Sequence, residues 1–193
     1  VAFAKGKGHI ITSQIEHPAV LDTCRYLERK GFSVTYLEVD RCGLISPQAV
    51  EKAIRKDTIL ISIMYANNEI GTIEPITDFG EVARKHNLLF HTDACQAAGA
   101  LELDVQKLNV DLLTINGSKI YGPKGIGILY VHSGLKLEPL VHGGGQERGL
   151  RSGTENVPSI VGLAAALQMA QQERDKENQR LKELRKYLIH RVL

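Results

Sequence analysis

Two apolar periods alternate along this chain. Short runs rich in Ile, Val, Leu and Thr occupy residues 9–13, 33–39, 59–64, 88–92, 112–115 and 127–131, and they read as strands. Between the first of these, apolar residues recur at helical spacing. Pro18 opens one helix at its first turn, Val20, Leu21, Cys24 and Leu27 share a face, and Gly31 closes it. Ser46 with Pro47 caps a second helix running to about Arg55, and a third spans about Thr77 to His86. Strands separated by helices predict βαβ units. The fold class is therefore α/β, a three-layer, mostly parallel sheet with helices on both faces. Residues 116–126 join the last two strands with much glycine and little helix signal, so that pair could include an antiparallel strand.

The pattern changes after Thr154. Residues 158–193 carry no strand signal and read as one long helix or two. The first half is apolar, with Ile160, Val161, Leu163, Ala164 and Leu167. Residues 171–180 are almost wholly polar, and Leu181, Leu184 and Leu188 then resume helical spacing. That order predicts a buried helix, a solvated hinge with a domain boundary near Arg174, and a second interface.

Composition narrows the function classes. The 193 residues are 43% hydrophobic and 24% charged, which suits a globular domain. Net charge is 24 − 22 = +2, too balanced to argue for nucleic acid or an anionic membrane as partner. No apolar run approaches the roughly 18 residues of a membrane span. Cys24, Cys42 and Cys95 show no CxxC spacing and cannot all pair, which suits a reduced, cytoplasmic setting.

Three constellations could carry chemistry. His91-Thr92-Asp93-Ala94-Cys95-Gln96 ends an apolar strand, where ligands bind in parallel α/β sheets. Asp93 there suits a site, or it caps the Ala-rich segment that follows. A metal held by His91, Asp93 and Cys95 has no matching ligand cluster to support it. The second constellation is Asn116-Gly117-Ser118-Lys119-Ile120-Tyr121-Gly122-Pro123-Lys124-Gly125. A lysine just past a buried strand, flanked by glycine, can approach a ligand and form a Schiff base, although most loop lysines are simply solvated. The segment lacks the order of a phosphate-binding loop and precedes a strand. The third runs from His142 through Gln146, Glu147, Arg148 and Arg151 to Thr154, and glycine concentrates in it. Its arginines could bind an anion, pair across an interface or remain solvated.

Together with Glu16-His17-Pro18-Ala19-Val20-Leu21 and Asn67-Asn68-Glu69-Ile70-Gly71-Thr72, these stretches resemble the cysteine desulfurases, relatives of the class V aminotransferase-type enzymes. Five motifs in the family's order cover essentially the whole chain. The resemblance implies the large domain of a pyridoxal-phosphate-dependent transferase of the aspartate-aminotransferase type, working as a homodimer. It divides the chain into residues 1–174, the core of that domain without its N-terminal part, and residues 175–193, a helix leading into a small C-terminal domain that this chain lacks.

The resemblance also assigns roles. Lys119 would hold pyridoxal 5'-phosphate as a Schiff base, and Asp93 would pair with the pyridinium nitrogen. His17 would stack on the ring and shuttle protons. Asn68 and Gln96 would contact the 3-oxygen. Ser118 stands where the family has a phosphate ligand, and Thr154 would reach the phosphate of a partner subunit's cofactor. Relatives commonly carry Ser-Gly-His-Lys where this chain has Asn116-Gly117-Ser118-Lys119, and Asn116 and Ser118 can still donate to phosphate. The implied reaction converts L-cysteine to L-alanine. The sulfur becomes an enzyme persulfide and passes to an acceptor or scaffold protein for iron–sulfur or thio-cofactor assembly. The loop with the persulfide-forming cysteine and the arginine for the substrate carboxylate would follow Leu193, so the isolated chain is expected to be inactive. A selenocysteine lyase, another lyase of this type, or a non-catalytic scaffold that kept only the fold are the alternatives.

Overall fold

Asn, Gly and Pro punctuate short β-branched runs here, and the chain folds accordingly. The structure, a computed structural model, describes residues 8–193. The strands are β1 His9–Ser13, β2 Ser33–Leu37, β3 Thr58–Ser62, β4 Leu89–Asp93, β5 Leu112–Asn116 and β6 Gly127–Val131. The helices are α1 Pro18–Arg29, α2 Pro47–Ala53, α3 Ile76–Lys85 and α4 Val157–Val192. One six-stranded sheet has the order β2-β1-β3-β4-β5-β6. All pairs are parallel except β5–β6, which is antiparallel. The short glycine-rich connection between β5 and β6 explains the reversal, because a parallel crossover needs a dozen or more residues.

Strand alternation separates two faces. Ile11, Ile61, Phe90 and Leu113 belong to the main hydrophobic cluster, together with Val50 of α2, Phe79 of α3 and Leu163 of α4. Their chain neighbours Ser62, His91 and Thr114 occupy the other face. On α1, Cys24 and Leu27 are buried outside the main cluster, as is Ile10 of β1.

The last segment takes the first of its two expected forms, one long helix. α4 is a single continuous helix through residue 174. The polar stretch read as a solvated hinge is partly engaged with the body. Gln171 Nε2 donates to the carbonyls of Ala98 and Leu101 at 2.6 and 3.0 Å, and Asn178 Nδ2 donates to that of Ala100 at 2.8 Å. Polar side chains are what those turn carbonyls need, so polarity here marks a clamp. Leu181, Leu184 and Leu188 remain exposed.

Candidate active site

The carboxyl ends of the parallel strands and the start of antiparallel β6 meet around one cleft of about 430 Å³. This is where ligands enter open α/β sheets, and the volume suits a small organic cofactor. His17, Asn68, Asp93, Gln96, Asn116 and Lys119 all line it. These residues lie up to about a hundred positions apart, and each reaches the cleft by a local device.

His17 is the N-cap of α1. Its Nδ1 accepts from the Ala19 amide at 3.1 Å, so a neutral imidazole carries its hydrogen on Nε2. Asn68 sits in a turn built by Asn67. The Asn67 side chain donates to the Ile15 carbonyl and accepts from the amides of Glu69 and Ile70 at 2.8 and 3.0 Å. Asp93 is the last residue of β4, and its Oδ1 accepts from the Cys95 amide at 2.9 Å. It therefore both caps the following turn and lines the cleft.

Lys119 lies in a 3-10 turn, Gly117–Ile120, that follows β5 directly. Gly117 permits this close turn, because a Cβ there would stand 2.9 Å from the Pro123 carbonyl oxygen. Asn116 Oδ1 accepts from both the amide and the hydroxyl of Ser118 at 2.9 Å. The Asn116 amide group therefore keeps its donors for the cleft. Ser118 is exposed and is not among the residues that line the cleft. Its hydroxyl is spent on the neighbouring side chain.

Thr154 is exposed and does not line this chain's own cleft. Its segment is not slack. Gln146 Oε1 accepts from the Gly153 amide at 3.0 Å, and Ser152, which is buried, accepts from the Gly145 amide at 3.3 Å.

The remaining lining residues include Thr114, Met64 and Cys95. Sequence reading passed over Thr114. The signal was there, since residues 112, 114 and 116 share a face of β5 and the β4–β5 register puts Thr114 beside Asp93. The Cys95 thiol is pushed up to about 12, first by burial and then by its contact with Asp93. Burial raises Cys24 to about 11. Cys42 is exposed and does not line the cleft. Among the described residues, no group of three His, Cys, Asp or Glu side chains could hold a metal. None of the described helices is long and apolar enough to cross a membrane.

The donor set fits pyridoxal phosphate. A primary amine, a carboxylate, an imidazole with a free Nε2 and three carboxamides border one cleft, matching an aldehyde, a ring nitrogen, a ring face and anionic oxygens. A mostly parallel α/β sheet with a lysine just past β5, lining one cleft with a carboxylate at the end of neighbouring β4, defines a cofactor-binding domain of the pyridoxal-phosphate type. The sequence profile of the family described as "Aminotransferase class-V" matches residues 2–193, and the chain belongs to that family, whose members use pyridoxal phosphate.

Curated relatives sharpen the comparison. The chain is 55% identical over its whole length to "Cysteine desulfurase IscS" of Dictyoglomus turgidum, covering 49% of that protein. It is 57% identical, again over its whole length, to the protein of the same name from Methanosarcina thermophila, covering 48%. It thus spans about half the length of these relatives. Among solved structures, a "NifS-like protein" superposes with a TM-score of 0.93 at 47% identity, over 97% of this chain and 52% of that one. A second, titled "SspA in complex with cysteine", has a TM-score of 0.82 at 55% identity, over 84% of this chain and 47% of that one.

Proposed function

We propose that this chain is the cofactor-bearing part of a pyridoxal-phosphate-dependent cysteine desulfurase. The carrying observation is the convergence of Lys119, Asp93, His17, Asn68 and Gln96 on one cleft, in a chain so similar to named desulfurases. In the whole protein, L-cysteine and an enzyme thiol give L-alanine and an enzyme persulfide. The substrate carbon–sulfur bond breaks, a sulfur–sulfur bond forms, and the carbon takes up a proton. The persulfide then supplies a sulfur acceptor or scaffold protein for iron–sulfur cluster or thio-cofactor assembly. The setting is cytoplasmic and the protein a homodimer.

When bound, pyridoxal phosphate supplies an electron sink. Lys119 would hold its aldehyde carbon through Nζ, and Asp93 would keep the ring nitrogen protonated. His17 would lie against the ring face, with Nε2 placed to move a proton while Nδ1 stays fixed by the Ala19 amide. Asn68 and Gln96 would orient the ring through its 3-oxygen. The Asn116 amide would reach the phosphate, with Ser118 holding Asn116 in place. Thr154 would serve the partner subunit's cofactor, which agrees with its absence from this chain's own cleft lining. The sulfur-accepting thiol is none of Cys24, Cys42 and Cys95. Two are held protonated by burial and the third is away from the cleft.

Adding pyridoxal phosphate to the chain is expected to give the absorbance of lysine-bound pyridoxal, lost in Lys119→Ala. In the full-length protein, alanine should appear in proportion to transferred sulfur. Sustained alanine and sulfide release by the isolated 193-residue chain would sink the exclusion of its three cysteines.

A further inference from the structure

Three neighbouring strands carry a polar row on the sheet face opposite the main core. Ser62 of β3 pairs in register with His91 of β4, and Asp93 of β4 pairs with Thr114 of β5. His91 and Asp93 are two apart on one strand and share a face. His91 Nδ1 lies 2.8 Å from Ser62 Oγ, and His91 Nε2 lies 2.9 Å from Thr114 Oγ1.

The direction of these bonds can be worked out. Burial holds the His91 imidazole below its ordinary pKa, against the opposing pull of Asp93, so the ring is neutral near pH 7 and carries one N–H. One hydroxyl neighbour must then donate to the ring and the other must receive. Ser62 is 5% exposed, and among the described residues its hydroxyl has no hydrogen-bond partner other than His91. A buried hydroxyl hydrogen left unmade is costly, so Ser62 donates to Nδ1. The ring hydrogen therefore sits on Nε2 and donates to Thr114 Oγ1. This leaves the hydrogen of Thr114 itself uncommitted, and Thr114 lines the cleft beside Asp93.

We propose that Ser62, His91 and Thr114 form a one-way hydrogen-bond relay that presents the Thr114 hydroxyl to the cleft as a donor. Thr114 is a further cofactor-binding residue, and His91 and Ser62 are positioning residues that act through it. The ligand half of this inference rests on the pyridoxal-phosphate reading. The relay half does not.

Nitrogen-15 NMR of His91 in the chain without cofactor reads the relay. The expected result is a neutral Nε2–H tautomer in the wild type and loss of that single tautomer in Ser62→Ala. An Nδ1–H tautomer in the wild type overturns the relay. Pyridoxal phosphate titration reads the ligand half. Thr114→Val is expected to weaken binding about fivefold, the loss of one hydrogen bond, and Thr114→Ser to restore it. Wild-type affinity in a folded Thr114→Val protein overturns that half, as does a Thr114→Ser protein that folds and binds no better than Thr114→Val. If the wild type itself binds no pyridoxal phosphate, the cofactor reading falls and takes the ligand half with it. The His91 tautomer then decides the relay alone.

Discussion

Glu16 Oε1 accepts a hydrogen bond from the Met64 amide at 2.7 Å, across 48 residues of sequence. The Ser13 hydroxyl donates to the same oxygen at 2.7 Å. One carboxyl thus ties the end of β1 and the turn into α1 to the segment after β3. His17 and Met64 on either side of that tie both line the cleft. The second oxygen, Oε2, is buried and has no partner among the described residues.

That burial sets a pH dependence. It raises Glu16 from 4.5 to about 7, outweighing the hydrogen bonds from Ser13 and Met64, and it raises Glu74 to about 7 as well. The native state therefore holds these protons longer than the unfolded chain. Their contribution to stability is fully present below pH 4.5 and is lost as pH rises to about 7. The melting temperature of Glu16→Gln should fall less steeply than the wild type's over that window. Equal slopes would show that Glu16 is already ionised in the fold.

The turn carrying Asn68 depends on Asn67. Asn67→Ala removes one donor contact to Ile15 and two acceptor contacts to the turn amides, a loss of about 1–3 kcal/mol. Urea denaturation should show that loss. Pyridoxal phosphate affinity should fall with it, because Asn68 would no longer be held at the cleft. Unchanged affinity in a destabilised protein would separate Asn68 from cofactor binding.

Gly80 in α3 lies against the turn before β5. A Cβ there would stand 2.6 Å from the Asn109 Cβ and 2.7 Å from the Leu108 carbonyl oxygen. Backbone cannot yield cheaply, so Gly80→Ala should destabilise by about 1–3 kcal/mol in spite of alanine's better helix propensity. A stabilised variant in thermal melts would contradict this packing.

The three thiols should separate by reactivity. Cys42 is exposed, whereas Cys24 is buried and raised to about 11 and Cys95 is raised to about 12. Under native conditions at neutral pH, an alkylating reagent should label Cys42 at least about tenfold faster than either of the others, as read by peptide mass mapping. Fast labelling of Cys95 would mean that the Asp93 side of the cleft is more open and polar than this structure shows.

Much of the fold was legible because periodicity is local. Residues 9–13 and 127–131 are strands as their short apolar runs predict, and Pro18 and Pro47 open the helices they were expected to open. The glycine-rich link between the last two strands correctly suggested a possible reversal. Polarity in α4 could not show which side chains are engaged, because Gln171 and Asn178 meet the carbonyls of a turn some 70 residues away in sequence. Most of the candidate site was legible as well. Lysine, aspartate, histidine and carboxamide side chains stand out by chemical type, and six of them line one cleft.

The sequence by itself determined the alternating strands and helices, the chemical character of the cleft, and through its motifs the family. Only the tertiary structure decided which hydroxyls and amides meet. Ser118 donates to Asn116, Thr114 stands beside Asp93, and His91 bridges β3 and β5. Composition cannot report this, because hydrogen-bond direction is set by strand register and by which neighbour lacks another partner in a buried site.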